Sequence, residues 1–440
     1  MQVKFKQILL LLGDVVILYF SLILALWLRG RGVLYEELIL HVDPFSLLFV
    51  IWIFVFYIVG LYDLHRLKNN FEFLSALGVG LMVNGVIAVL FFYLVPLAGI
   101  TPKTNLFIFL LVFSMLAYYW RYIYNLIVGS GSPTSRLLII GKNKTAEKLV
   151  NYIRHNPQLG YEVSYWMEKG LEDEEFKHLA QLILGKDITT IVIPGHIKKD
   201  AEAARLIYKN LALGIEVTDL SELYEAVFGE IPLEELEEVW FLENLTKRHK
   251  IYEIVKSPFE FALAAILSAI LLPLCILIAL SIKLSSKGDA VYKQERMGKN
   301  RKTFMLYKFR TMYAHKDGPL WTTEKDERIT RIGKFLRYTH LDEIPQLWNV
   351  LKGDIAFIGP RPERIELAEY YSQLAYYDIR HIIKPGLTGW AQLNYRPSAS
   401  LEEANEKLKY DIYYIKNRSI VLDILITLKT IKYIFTSHGS

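Results

Sequence analysis

Ser257-Pro-Phe-Glu-Phe-Ala-Leu-Ala-Ala-Ile-Leu-Ser-Ala-Ile-Leu-Leu-Pro-Leu-Cys-Ile-Leu-Ile-Ala-Leu-Ser-Ile282 decides how the C-terminal half of this chain can be arranged. Ser257 can accept a first-turn amide, Pro258 suits the first turn, and Glu260 can return the capping hydrogen bond. The spacing therefore predicts a helix that starts at Ser257. The apolar run from Phe261 to Ile282 is 22 residues long. As a straight helix it would reach about 33 Å, enough to cross a bilayer core. Pro273 removes a backbone hydrogen bond midway and predicts a break or kink. The run is either a fifth crossing or a helix that enters, bends at Pro273 and returns.

Four apolar stretches precede it, near Ile8 to Leu28, Phe45 to Leu61, Leu77 to Leu97 and Leu106 to Val128, each close to the ~20 residues a crossing needs. The chain of 440 residues is 52% hydrophobic, with a mean hydropathy of +0.24, above the ordinary soluble range. The first stretch is too long for a cleavable signal and lacks a small-residue cleavage site. Lys4 and Lys6 precede it, Arg66 and Lys68 lie between the second and third, and Arg136, Lys142 and Lys144 follow the fourth. Against Arg29, Arg31 and Lys103 on the other side, this places the N-terminus and everything after the fourth span in the cytoplasm. Asp14 and Asn84 are expected to pair inside the bundle. One cysteine, Cys275, excludes disulfide frameworks and cysteine-based zinc sites. A net charge of +5 fits an anionic inner leaflet, and no nucleic-acid motif is present.

After a linker at Gly129-Ser-Gly-Ser-Pro133, strand and helix alternate. Arg136 to Ile140, Ile188 to Ile193 and Ile215 to Thr218 read as strands, and Lys144 to Arg154 and Asp200 to Leu213 as helices. That alternation predicts a small parallel α/β sheet. The first strand runs into Gly141-Lys-Asn-Lys-Thr-Ala146, which supplies one glycine where a dinucleotide fold needs three. The module is thus expected to be structural, regulatory or dimerising, with a homodimer as one assembly open to it. From Leu233 to Tyr252, Trp240, Phe241 and Lys247-Arg-His-Lys250 read as an amphipathic surface segment or an interdomain linker.

Further on stands Thr330-Arg-Ile-Gly-Lys-Phe-Leu-Arg-Tyr-Thr-His-Leu-Asp-Glu-Ile-Pro-Gln-Leu-Trp-Asn-Val-Leu-Lys-Gly353, with Gly359-Pro-Arg-Pro362 after it. Arg331, Lys334 and Arg337 recur every three residues, so a helix brings them near one face. Asp342 falls where a new helix should start, and Gly353 where it should stop. Asp342 is either an N-cap or a carboxylate held ionised at a helix start, suited to attack a diphosphate. Tyr292 to Gly298 and Phe304 to Met312 read as a hairpin that puts Lys308 and Arg310 on one face.

LDEIPQLWNVLKGD, GPRP, the KFRTM of Lys308 to Met312 and the PGLTGWAQ of Pro385 to Gln392 occur in this order. Together they resemble the bacterial sugar transferase family, the monotopic phosphoglycosyl transferases, from about Lys256 to the C-terminus. The resemblance implies transfer of a sugar-1-phosphate from a UDP-sugar to polyprenyl (undecaprenyl) phosphate in exopolysaccharide, capsule or O-antigen synthesis. Asp342 would attack the sugar-linked phosphate and expel UMP, and the lipid phosphate would then take the phosphosugar. Glu343 would assist through Mg²⁺ or proton handling, with Asp342 and Glu343 as the protein's metal ligands. Lys308, Arg310, Arg337, Arg361 and Arg396 would hold phosphates. Gln346, Pro360, Pro362, Thr388 and Gln392 would line the substrate loop. Tyr410, Asp411 and Asp423 also resemble family positions and are expected to be structural.

The family's re-entrant helix carries Ser-Pro at its break, where this chain has Leu272-Pro273. A fifth crossing would carry the C-terminal half away from cytoplasmic nucleotide sugars, so re-entry is expected. The implied fold is a membrane α plus α/β protein: a four-helix transmembrane bundle (1–130), a Rossmann-like module (131–235), an interfacial linker (236–256), a re-entrant helix (257–284) and a mixed α/β catalytic domain (285–440) at the inner membrane. Competing readings are a membrane-tethered nucleotide-sugar dehydratase, a glycosyltransferase passing sugar alone, and a non-catalytic assembly protein. The first lacks its glycine-rich loop, the second lacks Asp-x-Asp, and the third leaves Lys308, Asp342 and Arg361 without a purpose.

Overall fold

The computed structural model of the chain describes residues 2–30, 34–62, 71–94, 103–130, 135–245, 250–313, 328–395 and 400–436. Arg31, Arg66, Lys68, Pro133, Lys247 and Arg396 lie outside them. The described residues fall into two compact units, Met1–Phe228 and Gly229–Ser440. They include five helices long and apolar enough to cross a membrane.

In the first unit, α1 (Gln2–Arg29) and α4 (Lys103–Ser130) cover the first and fourth predicted stretches, α2 (Leu34–Val59) ends two residues short of Leu61, and α3 (Phe71–Leu94) covers the described part of the third, residues 95–97 lying outside the described residues. These helices share one apolar core in which Leu18, Phe45, Trp52, Phe56, Phe109 and Phe113 are fully buried. Their outward faces remain apolar, with Val16, Val50 and Met82 exposed, as surfaces that meet hydrocarbon would be. Asp14 pairs with Arg121 and accepts from the Tyr62 hydroxyl at 2.7 Å, and Asn84 donates to Trp52 O at 3.4 Å. Both in-span polar groups therefore find partners inside the bundle.

The α/β part follows as β1 (Ser135–Ile140), α5 (Lys144–His155), β2 (Tyr161–Met167), α6 (Leu179–Gly185), β3 (Thr190–Ile193), α7 (Gly195–Lys198), α8 (Ala201–Asn210), β4 (Glu216–Asp219) and α9 (Leu220–Phe228). The sheet is parallel throughout, in the order β2-β1-β3-β4. Strand β2 was not legible: Tyr161-Glu-Val-Ser-Tyr-Trp-Met167 is a half-exposed edge strand without the continuous apolar run of β1. At the first βα turn, Asn143 caps α5 through Ala146 N, and Lys142 pairs with Glu168 at 2.6 Å.

In the second unit, α10 (Glu238–Leu245) leads to α11 (Lys250–Ser285), β5 (Val291–Met297), β6 (Thr303–Phe309), α12 (Arg331–Tyr338), α13 (Leu347–Lys352), β7 (Ala356–Ile358), α14 (Ile365–Tyr371), β8 (Gly386–Thr388), α15 (Trp390–Asn394), α16 (Leu401–Asn417) and α17 (Ile420–Thr436). The helix start predicted at Ser257 is corrected: α11 already runs from Lys250, and both Pro258 and Pro273 lie inside it. Glu260 does not cap; it accepts from Phe357 N at 2.9 Å and so ties the helix to β7. Before Pro273, Ala264, Leu267 and Leu271 pack on Leu306, Leu347 and Val350. After it, Ile278 and Ile282 pack on Phe309 and Leu336. Both arms of α11 thus lie on the same globular domain, while Ile266, Ile270, Leu272, Ile276, Leu277 and Leu280 are exposed.

β5 and β6 form the predicted antiparallel hairpin. The stretch after Pro385 contributes β8, parallel to β7. Gly386 and Gly359 allow this contact: a Cβ on Gly386 would run into the Gly359 backbone. Gly386→Ala is therefore expected to destabilise this unit by about 1–3 kcal/mol or more through overpacking. Thermal melts of the detergent-solubilised protein check this; an unchanged melting temperature would show that the strands part at no cost.

Candidate active site

The hairpin, the 3₁₀ turn at Leu341–Gln346 and the loop after β7 bring three of the sequence-predicted residues together. Lys308 Nζ donates to Glu343 Oε1 at 2.6 Å, and the Arg361 guanidinium lies 3.6 Å from the same oxygen. The register rests on Asn349, which is fully buried: it accepts from Tyr307 N at 3.1 Å and donates to Met305 O at 2.7 Å. This amide clips α13 to β6 and so sets Lys308 against Glu343. The reading of the sequence missed it, although a lone Asn between Trp348 and Val350 in an apolar helix was a signal.

Asp342 is buried and does not cap a helix. It lies in the 3₁₀ turn opened by His340 in the left-handed region (φ 55°), which runs directly into α13. Burial raises the Asp342 carboxyl above the usual range, against the pull of Lys308 and Arg337. Burial alone would raise Glu343 too, but Lys308 and Arg361 outweigh it and hold that carboxyl at about 2. Burial in turn lowers the Lys308 ammonium, against Glu343. Adjacent carboxylates thus carry different properties: Glu343 is fixed as an anion, while Asp342 is the more basic of the two.

The arginines divide. Arg337 donates to Thr311 Oγ1 at 2.9 Å and acts on Asp342 at longer range, whereas Arg331 and Lys334 of the same helix are exposed. Arg310 departs from the expectation that it joins Lys308. It is turned to Ser286, donating to its carbonyl at 2.8 Å and hydroxyl at 2.9 Å, because β6 ends at Phe309 and the alternation with Lys308 is lost there.

Glu343, Arg361, Thr388 and Gln392 line one cavity of about 1570 Å³. Arg296 and Arg364 add charge to its wall, while Leu263, Leu267 and Leu271 of α11 and Ile424, Ile431 and Ile434 of α17 make an apolar trough. The Gln392 carbonyl oxygen is buried without a hydrogen-bond partner, and Thr388 Oγ1 meets Thr430 Oγ1 at 2.8 Å. Gln346 is buried at the end of the 3₁₀ turn, and Pro360 and Pro362 flank Arg361.

Asp411 is structural, as expected: it pairs with the buried Arg380 at 2.9 Å. Asp423 accepts from Tyr252 and Tyr414 and pairs with Lys256 at 2.9 Å. Nearby, burial and then Arg380 hold His381 down to about 4, so it is neutral in the fold. Between pH 6.5 and about 4 the unfolded chain binds a proton that the folded chain does not, so stability is lost as pH falls. By pH 5 the loss is about 2 kcal/mol. His381→Gln should flatten the fall in melting temperature between pH 7 and 5; an equal fall in both proteins would show that His381 is protonated in place.

Glu343 and the arginines around it face a cavity that continues into an apolar trough beside α11, whereas Asp342 and Lys308 do not line that cavity. The profile of the bacterial sugar transferase family matches residues 251–437, and the chain belongs to that family. It is 36% identical over 229 residues to the UDP-N-acetylgalactosamine-undecaprenyl-phosphate N-acetylgalactosaminephosphotransferase of Aeromonas hydrophila, covering 51% of this chain and 54% of that one. It is 31% identical over 307 residues to the UDP-glucose:undecaprenyl-phosphate glucose-1-phosphate transferase of Escherichia coli K12, covering 67% and 66%. A protein of the same description from Caulobacter vibrioides is 37% identical over 193 residues, covering 43% of this chain and 72% of its own. The chain thus spans little more than half of the Aeromonas relative.

Proposed function

We propose that this protein transfers a sugar-1-phosphate from a UDP-sugar to undecaprenyl phosphate, releasing UMP, as the first membrane step of an exopolysaccharide, capsule or O-antigen. The observation that carries the reading is the shared cavity: Glu343 and Arg361 line it, and its trough of α11 and α17 side chains suits a prenyl chain. In the first step an Asp342 carboxylate oxygen attacks the sugar-linked phosphorus. The bond from that phosphorus to the oxygen bridging to UMP breaks, and UMP leaves with the electron pair. In the second step an oxygen of the lipid phosphate attacks the same phosphorus and Asp342 leaves, regenerated as a carboxylate. Arg361 and Arg337 supply fixed positive charge to the phosphate oxygens, and Lys308 holds Glu343 as an anion.

Two hard carboxylates fit Mg²⁺, which takes one or two protein oxygens and completes its shell with phosphate and water. Lys308 and Arg361 both address Oε1 of Glu343, so Oε2 and Asp342 are the oxygens that would hold it. When bound it would neutralise diphosphate charge. α11 runs through Pro273 as one helix rather than breaking there; its packing on one domain both before and after Pro273, with the opposite face apolar and exposed, supports a helix that enters the membrane surface and returns. In this reading α1–α4 form a four-helix transmembrane bundle, and a re-entrant α11 keeps the site on the cytoplasmic side of the inner membrane, where UDP-sugars are. A panel of UDP-sugars scored for UMP formation by the full chain in membranes tests the class and the donor together. UDP release instead of UMP would identify a sugar-only transferase and refute the reading.

A further inference from the structure

Arg361 sits on a stretch whose main-chain carbonyls are held from several directions. Ile358 O accepts from Lys256 Nζ of α11 at 3.0 Å, and Pro360 O from Gly386 N at 2.9 Å. Arg361 O accepts from Arg380 Nη2 at 3.0 Å, Pro362 O from Arg296 Nη1 at 3.1 Å, and Glu363 O from Met297 N at 3.0 Å. Three of these donors are cationic side chains, from α11, β5 and the 3₁₀ turn at Tyr377–His381.

Arg380 is the most deeply committed of the three. It is 4% exposed, pairs with Asp411 at 2.9 Å, lies 3.7 Å from Glu363 and donates to the Tyr377 hydroxyl at 2.8 Å. Burying such a set rarely stabilises a fold more than apolar residues of the same volume would. What apolar residues cannot supply is a forked donor that reaches the Arg361 carbonyl. The Arg361 side chain itself is 40% exposed, so its direction depends on the main chain beneath it. An active-site group displaced by about 1 Å can lose about 10²-fold in rate.

We propose that Arg380, held by Asp411 and assisted by Arg296, is a positioning residue that fixes the Arg361 main chain and thereby aims its guanidinium at the substrate phosphates. This inference rests on the functional reading above. The test measures UMP release by the full-length protein in detergent, using the UDP-sugar that the donor panel identifies. Removing Arg380 alone would strand Asp411, so one arm is the charge-balanced pair Arg380→Met with Asp411→Asn, and the other is Arg296→Met. Each arm should lower kcat by about 10- to 100-fold while KM for the UDP-sugar moves less than about 3-fold. Adding Arg361→Ala to either arm should cost no more than Arg361→Ala alone, because there is no longer a side chain to position.

Losses that multiply with that of Arg361→Ala, or a wild-type kcat in both arms, would overturn the inference. If the balanced pair fails to fold, the Arg296→Met arm decides by the same criterion. A wild-type protein that releases no UMP from any UDP-sugar overturns the functional reading, and this inference with it; that result appears before any variant is compared.

Discussion

Asp342→Asn is expected to reduce UMP release from every UDP-sugar by at least about 10³-fold, the scale of losing a covalent nucleophile. The amide matches the carboxylate in shape, so the buried position should keep its packing. It cannot form the acyl phosphate. Burial raises the Asp342 carboxyl, which means the ionised form is disfavoured by the fold. A neutral amide removes that penalty, so the melting temperature should hold or rise slightly. Loss of activity at undiminished stability separates a nucleophile from a structural residue. UMP release near the wild-type rate would remove Asp342 from the mechanism.

Lys308→Met should lower kcat by about 10²- to 10³-fold, as expected when one fixed charge is taken from a site of this kind. Lys308 is the largest of the influences that hold Glu343 at about 2, and without it Arg361 and His340 would be left to oppose burial. The Glu343 carboxyl would then rise, and activity should be lost on the acid side at a higher pH than in the wild type. Steady-state UMP assays across pH check both effects. A Lys308→Met protein with kcat within about 3-fold of wild type, and the same acid limb, would reduce Lys308 to a solvating charge on the hairpin.

The parts that could be read from the sequence are those in which local pattern and chemistry coincide. Apolar stretches marked α1 to α4, alternation marked the β5–β6 hairpin, and Gly353 stops α13 in the left-handed region with φ 77°. Lys308, Glu343 and Arg361 were legible because a basic residue or carboxylate inside an ordered motif has few other uses. The rest depended on contacts between residues distant in sequence. Ser257 and Glu260 have the spacing of a capping box, yet β7 takes the Glu260 carboxylate and the helix extends back to Lys250. Arg310 shares a strand face with Lys308 only while the strand lasts, and it ends one residue too soon. Asn349, Arg380 and Glu363 act on backbone atoms or buried charges tens of residues away, and no spacing rule reaches them.

The most direct measurement is the intact mass of the purified protein incubated with its UDP-sugar and no lipid acceptor, followed by peptide mapping. One phosphosugar should be found on the peptide carrying Asp342, absent from Asp342→Asn and discharged when undecaprenyl phosphate is added. A protein that turns over UDP-sugar with no adduct, or with one on another residue, would contradict the account.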